Sequence, residues 1–597
     1  MKSNRSAFLS ILFHLTLLCV AAQAHLNAPG IRLCDGWEFQ RGHLGGIWEV
    51  WRDAQHQKLP WEKITLPHCF NAFDVVDPDK PYYQGEGWYR TLLELEQPFP
   101  DGRNHLKAVG RMGRRVVVDE MEMAYQSEPW GAPHRLTLAL QQSCGDTALF
   151  RATLVDQAGR RCLDGNQVVR FGLAGEGLLL DNLGTVLGSR VIQLANGAAR
   201  IKVLLRGGES VASVTAAKIK PAFLSLSQRR LMQQTIIDLE KERVLRRAGE
   251  MLREKPITVT DSLCSRSSGG PHDYYSEGDY WWPNPENPDG AYIRKDGLNN
   301  PDNFNFHRNA VGRLSWITGT LTSAWLLSGD EKYVQAVRPH LQAWFIAAET
   351  RMNPHLLYAQ AIKGRVTGRG IGIIDATSFI EVARSVKLLQ GSRFFPPQEA
   401  DQIKAWFSDF LIWLKTHPYG IDEMNWKNNH GTWWHAQAAA YASLLEDDST
   451  LHFCRSRLQE VLLPNQMGAD GSFPLELERT KPYSYSLFNM DGMVTAAWIL
   501  SDASNDLFAF VLPDGRSLRR GIDFLVPYVE DKGKWPYAQD VLHWAEQPGR
   551  RAFLVFAALA YNRPDWIGLW RALDPDYRSD EARRNAPIKN VLLWLDW

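Results

Sequence analysis

The chain has 597 residues, 45% of them hydrophobic, and its 67 Lys and Arg residues balance 67 Asp and Glu residues. This length predicts several domains, and the hydrophobic fraction is sufficient to build their cores. A net charge of zero argues against a nucleic-acid-binding protein, so a polyanionic partner would have to meet a local positive cleft.

The first 24 residues have the layout of a secretory signal peptide. Lys2 and Arg5 precede an apolar run from Ala7 to Ala22, and small residues at 22 and 24 predict cleavage before His25. The apolar run is too short for a membrane span, and no later stretch of the sequence is long and apolar enough for one. We therefore expect a secreted protein, periplasmic or extracellular, with no membrane span.

The next two segments, residues 25–127 and 128–222, are predicted to be β-sandwich modules. Short runs that alternate or carry β-branched residues, such as residues 114–119 and 148–156, lie between turn-forming residues. Short strands at this spacing are typical of sandwiches.

Residues 223–597 change to the period of helices. Leu314, Ile317, Leu321 and Trp325 recur at helical spacing, and similar stretches follow as far as residue 561. The pattern predicts an all-α domain in which helical hairpins close into an (α/α) toroid, an incomplete barrel. A solenoid is the alternative, but the self-similar period that it requires is absent from the sequence.

Two long irregular stretches interrupt the helices. Residues 262–309 are rich in aromatic residues, which favours an ordered functional loop over disorder. Residues 363–375 are glycine-rich, but no strand precedes them and no Gly-Lys-Ser/Thr ends them, so a nucleotide loop is excluded.

Polar groups concentrate in two stretches. Asn425–His435 contains adjacent amides, an imidazole, a cation and three indoles, and residues 476–486 contain carboxylates, an arginine and tyrosines. Amides, His or Arg can neutralise a carboxylate, while Tyr or His can take a proton from the neighbouring carbon and Tyr can protonate a leaving oxygen. These groups together predict proton abstraction beside a carboxylate.

Several motifs resemble the alginate-lyase superfamily of polysaccharide lyases, which fold as (α/α) toroids. They are Ser267-Ser-Gly-Gly-Pro-His-Asp-Tyr-Tyr-Ser, Tyr280-Trp-Trp-Pro, Gly368-Arg-Gly-Ile-Gly, Asn428-Asn-His, and Glu476 through Tyr485. By motif, the resemblance implies that the catalytic residues are Asn429, His430, Arg479 and Tyr485. The tyrosine is often followed by His in alginate lyases, whereas Ser486 follows here, which leaves the substrate open among polymannuronate, polyguluronate and glucuronan.

Around this catalytic set we expect side chains that contact the substrate. They comprise polar contacts, a lid over the sugar and aromatic subsite walls: Asn428, Lys427, Arg266, His272, Tyr274, Tyr275, Trp281, Trp433 and Tyr483. No Cys pattern or His/Asp/Glu cluster predicts a metal, and no cofactor is expected.

The β-rich part resembles non-catalytic pieces of family 2 glycoside hydrolases. Asp35-Gly-Trp-Glu-Phe and Gly85-Glu-Gly-Trp-Tyr-Arg resemble the sugar-binding sandwich of that family, and residues 169–177 resemble its immunoglobulin-like module. The family's catalytic barrel has no room between these pieces, so the resemblance implies scaffolds or sugar-binding accessories and no hydrolase.

The predicted function is a polysaccharide lyase that cleaves a (1→4)-linked uronic-acid polymer by β-elimination and leaves a 4,5-unsaturated uronate. Its partner is then an acidic polysaccharide, and the oligomeric state stays open. Two alternatives remain. One is a glycoside hydrolase on the same toroid with an acid–base pair from Asp375, Glu381, Glu476 and Glu478; the other is a non-catalytic polysaccharide-binding protein.

Overall fold

The computed structural model describes residues 18–20, 34–42, 60–69, 85–92, 101–112, 115–125, 128–144, 147–180, 190–205 and 209–597. The predicted signal peptide therefore lies outside the described residues except for 18–20. Contacts divide the chain into two compact units, one spanning residues 1–132 and 156–160 and the other 133–155 and 161–597. The boundaries that the sequence suggests, after residues 127 and 222, stay a prediction.

The first unit contains two antiparallel three-stranded sheets, ordered β1-β5-β6 and β3-β2-β4. Trp37, Phe39 and Tyr89 form a small buried core in the second sheet, because alternate residues of a strand share one face. The strands are β1 (Leu18–Val20), β2 (Trp37–Arg41), β3 (Glu62–Ile64), β4 (Gly87–Thr91), β5 (Gly102–Met112) and β6 (Arg115–Tyr125).

The second unit begins with eight strands ordered β10-β12-β8-β7-β14-β13-β9-β11. Two antiparallel groups of four meet at one parallel pairing between Arg135 and Lys220. Their alternating burial provides the inward face of a sandwich. The strands are β7 (Arg135–Cys144), β8 (Thr147–Val155), β9 (Val168–Gly175), β10 (Leu178–Leu180), β11 (Val191–Gln193), β12 (Ala198–Leu204), β13 (Ser210–Ala216) and β14 (Ile219–Leu226).

Helices form the rest of the second unit. They are α1 (Gln228–Met251), α2 (Phe306–Ser328), α3 (Lys332–Phe345), α4 (Phe379–Leu389), α5 (Pro397–Thr416), α6 (Pro418–Met424), α7 (Asn429–Leu445), α8 (Asp448–Arg457), α9 (Leu463–Gln466), α10 (Pro474–Leu477), α11 (Pro482–Leu500), α12 (Leu518–Glu530), α13 (Ala552–Tyr561), α14 (Pro564–Ala572) and α15 (Asp580–Arg584).

Six of these helices form a circuit. Contacts run from α1 to α2, α4, α7, α11 and α13, and then return to α1. Helices α7, α11 and α13 are buried on almost every side, as their small and apolar residues require. The predicted architecture, β-rich modules followed by an (α/α) toroid, is confirmed. Among the described residues, no helix combines the length and apolarity needed to cross a bilayer.

The aromatic stretch predicted to be irregular is partly ordered as small sheets. Contrary to the sequence analysis, a strand (residues 358–361) does precede the glycine-rich stretch. Strand β15 (Tyr275–Glu277) pairs in parallel with β18 (Tyr358–Ala361), and β16 (Trp281–Trp282) pairs with β17 (Ile293–Arg294). A 3-10 turn, Gly370–Ala376, follows β18. Gly368 permits this fold, because a Cβ there would overlap the Leu357 carbonyl. These sheets bring the aromatic loop against the ring of helices.

Candidate active site

A cleft of about 290 Å³ opens where α7 and α11 begin. Its walls come from five parts of the chain: the start of α7, the segment that leads into α11, the loop around β16, the stretch from β18 through the 3-10 turn, and the end of α15. The four catalytic residues that the sequence implies all line this cleft: Asn429, His430, Arg479 and Tyr485. Four further lining residues take part in the contacts described below: Tyr280, Trp281, Arg369 and Asp375.

Asn429 lies in the first turn of α7 and is buried against Glu476. The backbone N–H of Asn429 donates to Glu476 at 2.7 Å, and its Nδ2 donates to both carboxylate oxygens at 2.9 Å. Helix N-termini favour such an anion because their first N–H groups have no partner within the helix. Burial raises the pKa of Glu476, and the hydrogen bonds from Asn429 oppose that rise.

His430 is oriented by a second buried carboxylate. Its Nδ1 lies 2.7 Å from Glu423 Oε1, which leaves Nε2 as the ring nitrogen available to the cleft. The other Glu423 oxygen has no hydrogen-bond partner among the described residues. Burial raises the pKa of Glu423 above its ordinary value, although the charge of His430 opposes that rise. A carboxylate that holds one ring nitrogen fixes the tautomer and the orientation of the imidazole.

Tyr485 is held by two neighbours. Its hydroxyl makes a short hydrogen bond with the Tyr280 hydroxyl, and Arg479 Nη2 donates to it at 3.5 Å. The Arg479 guanidinium also lies 4.5 Å from the centre of the Tyr485 ring. Burial raises the pKa of Tyr485 to about 12, although the Arg479 charge and the Tyr280 hydrogen bond oppose the rise. Tyr485 is therefore a neutral phenol at pH 7.

Arg479 is also tied to the aromatic loop. It donates to Asp296 at 3.1 and 3.4 Å, and Arg294 lies 2.6 Å from the same carboxylate. Burial alone would raise the pKa of Asp296, but the two arginines outweigh it and lower that pKa to about 2. Asp296 thus remains ionised and holds the guanidinium beside Tyr485.

The residues predicted to bind substrate fall into different places. Asn428 and Trp281 line the cleft, and the Asn428 side chain caps α7. Arg266 and Tyr275 instead line an adjacent cavity of about 610 Å³, where both bond to Glu277. The other two predicted polar contacts lie outside both cavities. Lys427 is exposed before α7, and His272 Nδ1 lies 2.7 Å from the Arg351 carbonyl.

Three of the predicted contacts are corrected by the structure. Tyr274, Trp433 and Tyr483 are fully buried and cannot reach a sugar. Tyr274 donates to Asp375 at 3.1 Å, Trp433 to the Phe488 carbonyl at 3.1 Å, and Tyr483 to the Tyr528 carbonyl at 2.9 Å. All three therefore support neighbouring elements from within the core.

Sequence reasoning missed Tyr280, Glu423 and Arg369 as members of the site. Tyr280 opens a motif quoted above, so its position was visible although its role was not. Glu423 lies seven residues before His430, but the break between α6 and α7 hides their contact in the sequence. Arg369 lies in the Gly368-Arg-Gly-Ile-Gly stretch. This stretch resembles the lyase superfamily, but nothing in it indicates a role for the arginine.

The helical part of the chain is similar to known alginate lyases. The family model described as alginate lyase matches residues 258–535. The crystal structure of an alginate lyase from Bacteroides ovatus is 32% identical, and the match covers 62% of this chain and 97% of that chain with a TM-score of 0.55.

The N-terminal part resembles a different group of proteins. A protein of Formosa agariphila named "Putative beta-glucuronidase" is 34% identical over 114 residues, which is 19% of this chain and 14% of that protein. The β-glucuronidase of Parabacteroides merdae is 34% identical over 24% of this chain and 18% of its own, with a TM-score of 0.21. The chain thus spans only a small part of these relatives.

The helical toroid and its cleft of Asn, His, Arg and Tyr side chains define a protein of the polysaccharide-lyase class. Within that class, the match over nearly the whole B. ovatus structure determines the family. The chain belongs to the alginate lyase family.

Proposed function

We propose that the protein cleaves a (1→4)-linked uronic-acid polymer, either alginate rich in mannuronate or glucuronan, by β-elimination. The observation that carries this proposal is that Asn429, His430, Arg479 and Tyr485 line one cleft. The C5–H bond of the uronate breaks, a C4–C5 double bond forms, and the C4–O4 bond breaks as O4 takes a proton. The product is a 4,5-unsaturated uronate.

The first requirement is to neutralise the carboxylate next to C5. The negative charge on that carboxylate grows as the proton leaves, so donors fixed around it stabilise the transition state. The Arg369 and Arg479 guanidiniums supply such donors, and His430 adds one when its Nε2 carries a proton. The Asn429 amide donates to Glu476 in the free site. A protonated Glu476 would donate to Asn429 Oδ1 instead and release the amide N–H groups to the substrate, and burial favours this proton by raising the Glu476 pKa.

The second requirement is a pair of proton transfers. With a pKa of about 12, ionising Tyr485 at pH 7 costs on the order of 7 kcal/mol. Neutral Tyr485 therefore protonates the O4 leaving group directly. The C5 proton goes to whichever group faces it: His430 Nε2, or the Tyr485 oxygen, which takes that proton as its own proton passes to O4. The two C5 epimers present this proton on opposite faces of the sugar.

The epimer dependence gives the test of these roles. Wild-type protein and His430→Ala are assayed on polymannuronate, polyguluronate and glucuronan by the ultraviolet absorbance of the unsaturated product. If His430 is a base for one C5 configuration, the variant loses only the substrates of that configuration, either polyguluronate or polymannuronate together with glucuronan. If it neutralises the carboxylate, the variant loses all three equally. Absence of an absorbing product from every polyuronate with the wild-type protein would refute the lyase.

Among the described residues, the hydrolase alternative finds no pair of unengaged carboxylates in the cleft. Asp279 lines the cleft together with Asp375, but Asp279 is paired with Arg308 and Arg584. Of its four candidates, Asp375 lines the cleft, but it accepts hydrogen bonds from Ser276 at 2.5 Å and Gln360 at 3.0 Å. Glu381 and Glu476 are buried with their oxygens bonded to backbone and side-chain N–H groups. Glu478 is exposed outside the cleft. Glycoside hydrolysis needs two carboxyl groups flanking one bond, so elimination is the better-supported reaction.

We also propose that the protein is exported and that residues 1–24 are removed. The sequence layout supports this, since a charged start precedes an apolar run and a small-residue cleavage site. N-terminal sequencing of the protein recovered outside the cytoplasm should begin at His25, and an intact Met1 would contradict export by this route.

A further inference from the structure

A tight hairpin follows β18 at the edge of the cleft. Its ends are joined by hydrogen bonds between Ile362 and Val366, from N to O at 2.8 and 3.1 Å. Lys363 and Arg365 project from it and are exposed. Gly364 at its tip has φ +73° and contacts Ala291, which fixes the hairpin against the aromatic loop.

The cations on and after this hairpin differ from their neighbours. Around the cleft, Arg266, Arg294, Arg308, Arg479 and Arg584 each form an ion pair with an Asp or Glu. Lys363, Arg365 and Arg369 form no ion pair with any carboxylate among the described residues. The cavity beside the hairpin does contain Glu277, but Arg266, Tyr275 and the Phe304 N–H already occupy that carboxylate.

The contacts of these three cations are to carbonyl groups and aromatic rings. Arg365 Nε donates to the Tyr292 carbonyl at 2.7 Å, and Lys363 Nζ lies 5.7 Å from the centre of the Tyr292 ring. Arg369 donates to the Gln360 carbonyl and side-chain oxygens at 3.1 and 2.9 Å. Burial lowers the pKa of Arg369 to about 10. The charges of Asp375, Asp279 and Glu423 oppose this fall in pKa from beyond ion-pair distance. A cation without a direct ion pair gains more from a ligand carboxylate than one already paired.

The three cations form a continuous series from the cleft outward. Arg369 lines the cleft itself. The Arg365 and Arg369 guanidiniums lie 5.1 and 6.0 Å from the centre of the Trp281 ring, which also lines the cleft. Arg365 and Lys363 then line the adjacent cavity of about 610 Å³. Trp281 therefore lies between a half-buried cation and an exposed one.

We propose that Arg369, Arg365 and Lys363 form a binding track for successive carboxylates of a polyuronate that leaves the cleft across Trp281. This inference rests on the proposed function, because only a chain with a carboxylate on each sugar matches cations spaced along one path. Guanidinium groups suit carboxylates through paired N–H donors, and Lys363 adds an exposed charge that attracts the polymer over a longer range. The track makes the enzyme favour long substrates over short ones.

The test compares long and short substrates. In the double variant Lys363→Gln/Arg365→Gln, kcat/KM for the polymer divided by kcat/KM for the shortest oligouronate cleaved should fall about tenfold. The fall should come mainly from KM and should shrink at high salt, because salt screens exposed charges. The control, Lys332→Gln/Lys534→Gln, removes two exposed cations remote from the cleft and should leave the ratio unchanged.

A binding measurement keeps the inference independent of turnover. The affinity of the Tyr485→Phe protein for a long oligouronate, measured by calorimetry, should fall about tenfold when Lys363→Gln/Arg365→Gln is introduced into the same chain. An unchanged substrate ratio and unchanged binding would overturn the track while leaving the lyase intact. If the track substitutions weaken polymer binding but the wild-type protein releases no unsaturated product, the lyase activity is refuted and the binding track is supported. If the double variant fails to fold, the same measurements are made on Lys363→Gln alone. This variant should fold, because the Lys363 Nζ makes no hydrogen bond in the described part of the chain.

Discussion

Tyr485 is the residue on which the chemistry depends most. Tyr485→Phe keeps the ring beside Arg479 but removes the proton that O4 must receive. We expect turnover to fall by about 10²- to 10⁴-fold, the usual contribution of a general acid or base, with KM changed little. Steady-state kinetics on the preferred polymer measures this.

The neighbouring tyrosine supplies the control for that experiment. Tyr483→Phe also removes one hydroxyl from the first turn of α11, but this hydroxyl bonds to the Tyr528 carbonyl in the core. We expect the Tyr483 variant to lose about 1 kcal/mol of stability and to keep its turnover. Near-wild-type turnover in Tyr485→Phe, or a large loss in Tyr483→Phe, would show that the two tyrosines have been assigned in the wrong order.

Glu423 makes a prediction about pH and stability. Burial raises its pKa in the folded protein above the ordinary value of 4.5. The folded state therefore binds the proton more tightly, so this stabilisation is complete below pH 4.5 and is lost as pH rises through the raised pKa. Glutamine does not titrate, so the Glu423→Gln variant does not lose stability in this way as pH rises. The Tm of the variant relative to wild type should therefore rise as the pH increases above about 4.5, and a falling difference would contradict the raised pKa of buried Glu423.

The sequence predicted the first members of the site but not their partners. Asn429 and Tyr485 could be predicted because each lies in the first turn of a helix within a recognisable motif. Tyr280 lies 205 positions from Tyr485, so no local pattern shows that their hydroxyls meet. Trp433 was misassigned because its place near the motif suggested stacking. It lies one helical turn beyond Asn429, on the same face, and that face packs against α11.

At the scale of elements, the start of α7 must approach the preceding turn closely. A Cβ on Gly431 would overlap the Trp426 carbonyl oxygen. Gly431→Ala should therefore displace Asn429 and His430, cost about 1–3 kcal/mol of stability and lower turnover. Chemical denaturation and kinetics together measure this effect.

A helical glycine elsewhere provides the matched control. A Cβ on Gly312 of α2 would meet no atom within 4 Å. Gly312→Ala should thus stabilise the protein by about 0.4–1 kcal/mol, because alanine restricts the unfolded chain. Equal effects of the two substitutions would mean that the close approach at Gly431 does not position the site.

The helices of the toroid were predictable because their apolar periodicity is local. The pairing of β15 with β18 was not, since Tyr275 meets Tyr358 across a long stretch that includes α2 and α3. The two strands are only three and four residues long, so their patterns carry too little periodicity to be recognised. The aromatic loop was therefore predicted to be ordered, but its hydrogen-bonded partner could not be named.

For the whole molecule, the resemblance to a β-glucuronidase is confined to a small part of each chain. The match covers 19% of this chain and 14% of that relative. We expect the full-length protein to release no aglycone from aryl β-glucuronides or β-galactosides, as followed by colorimetric assay. Turnover of these substrates that survives Tyr485→Phe would reveal a second, hydrolytic site.

The most direct test of the central claim is the chemistry of the new chain ends. In a digest of the preferred polyuronate, unsaturated ends measured by ultraviolet absorbance should appear in a one-to-one ratio with new reducing ends, because elimination creates one of each at every break. The ratio should hold throughout the reaction, and both signals should fall together in Tyr485→Phe. Reducing ends that accumulate without absorbance would show hydrolysis and contradict the lyase.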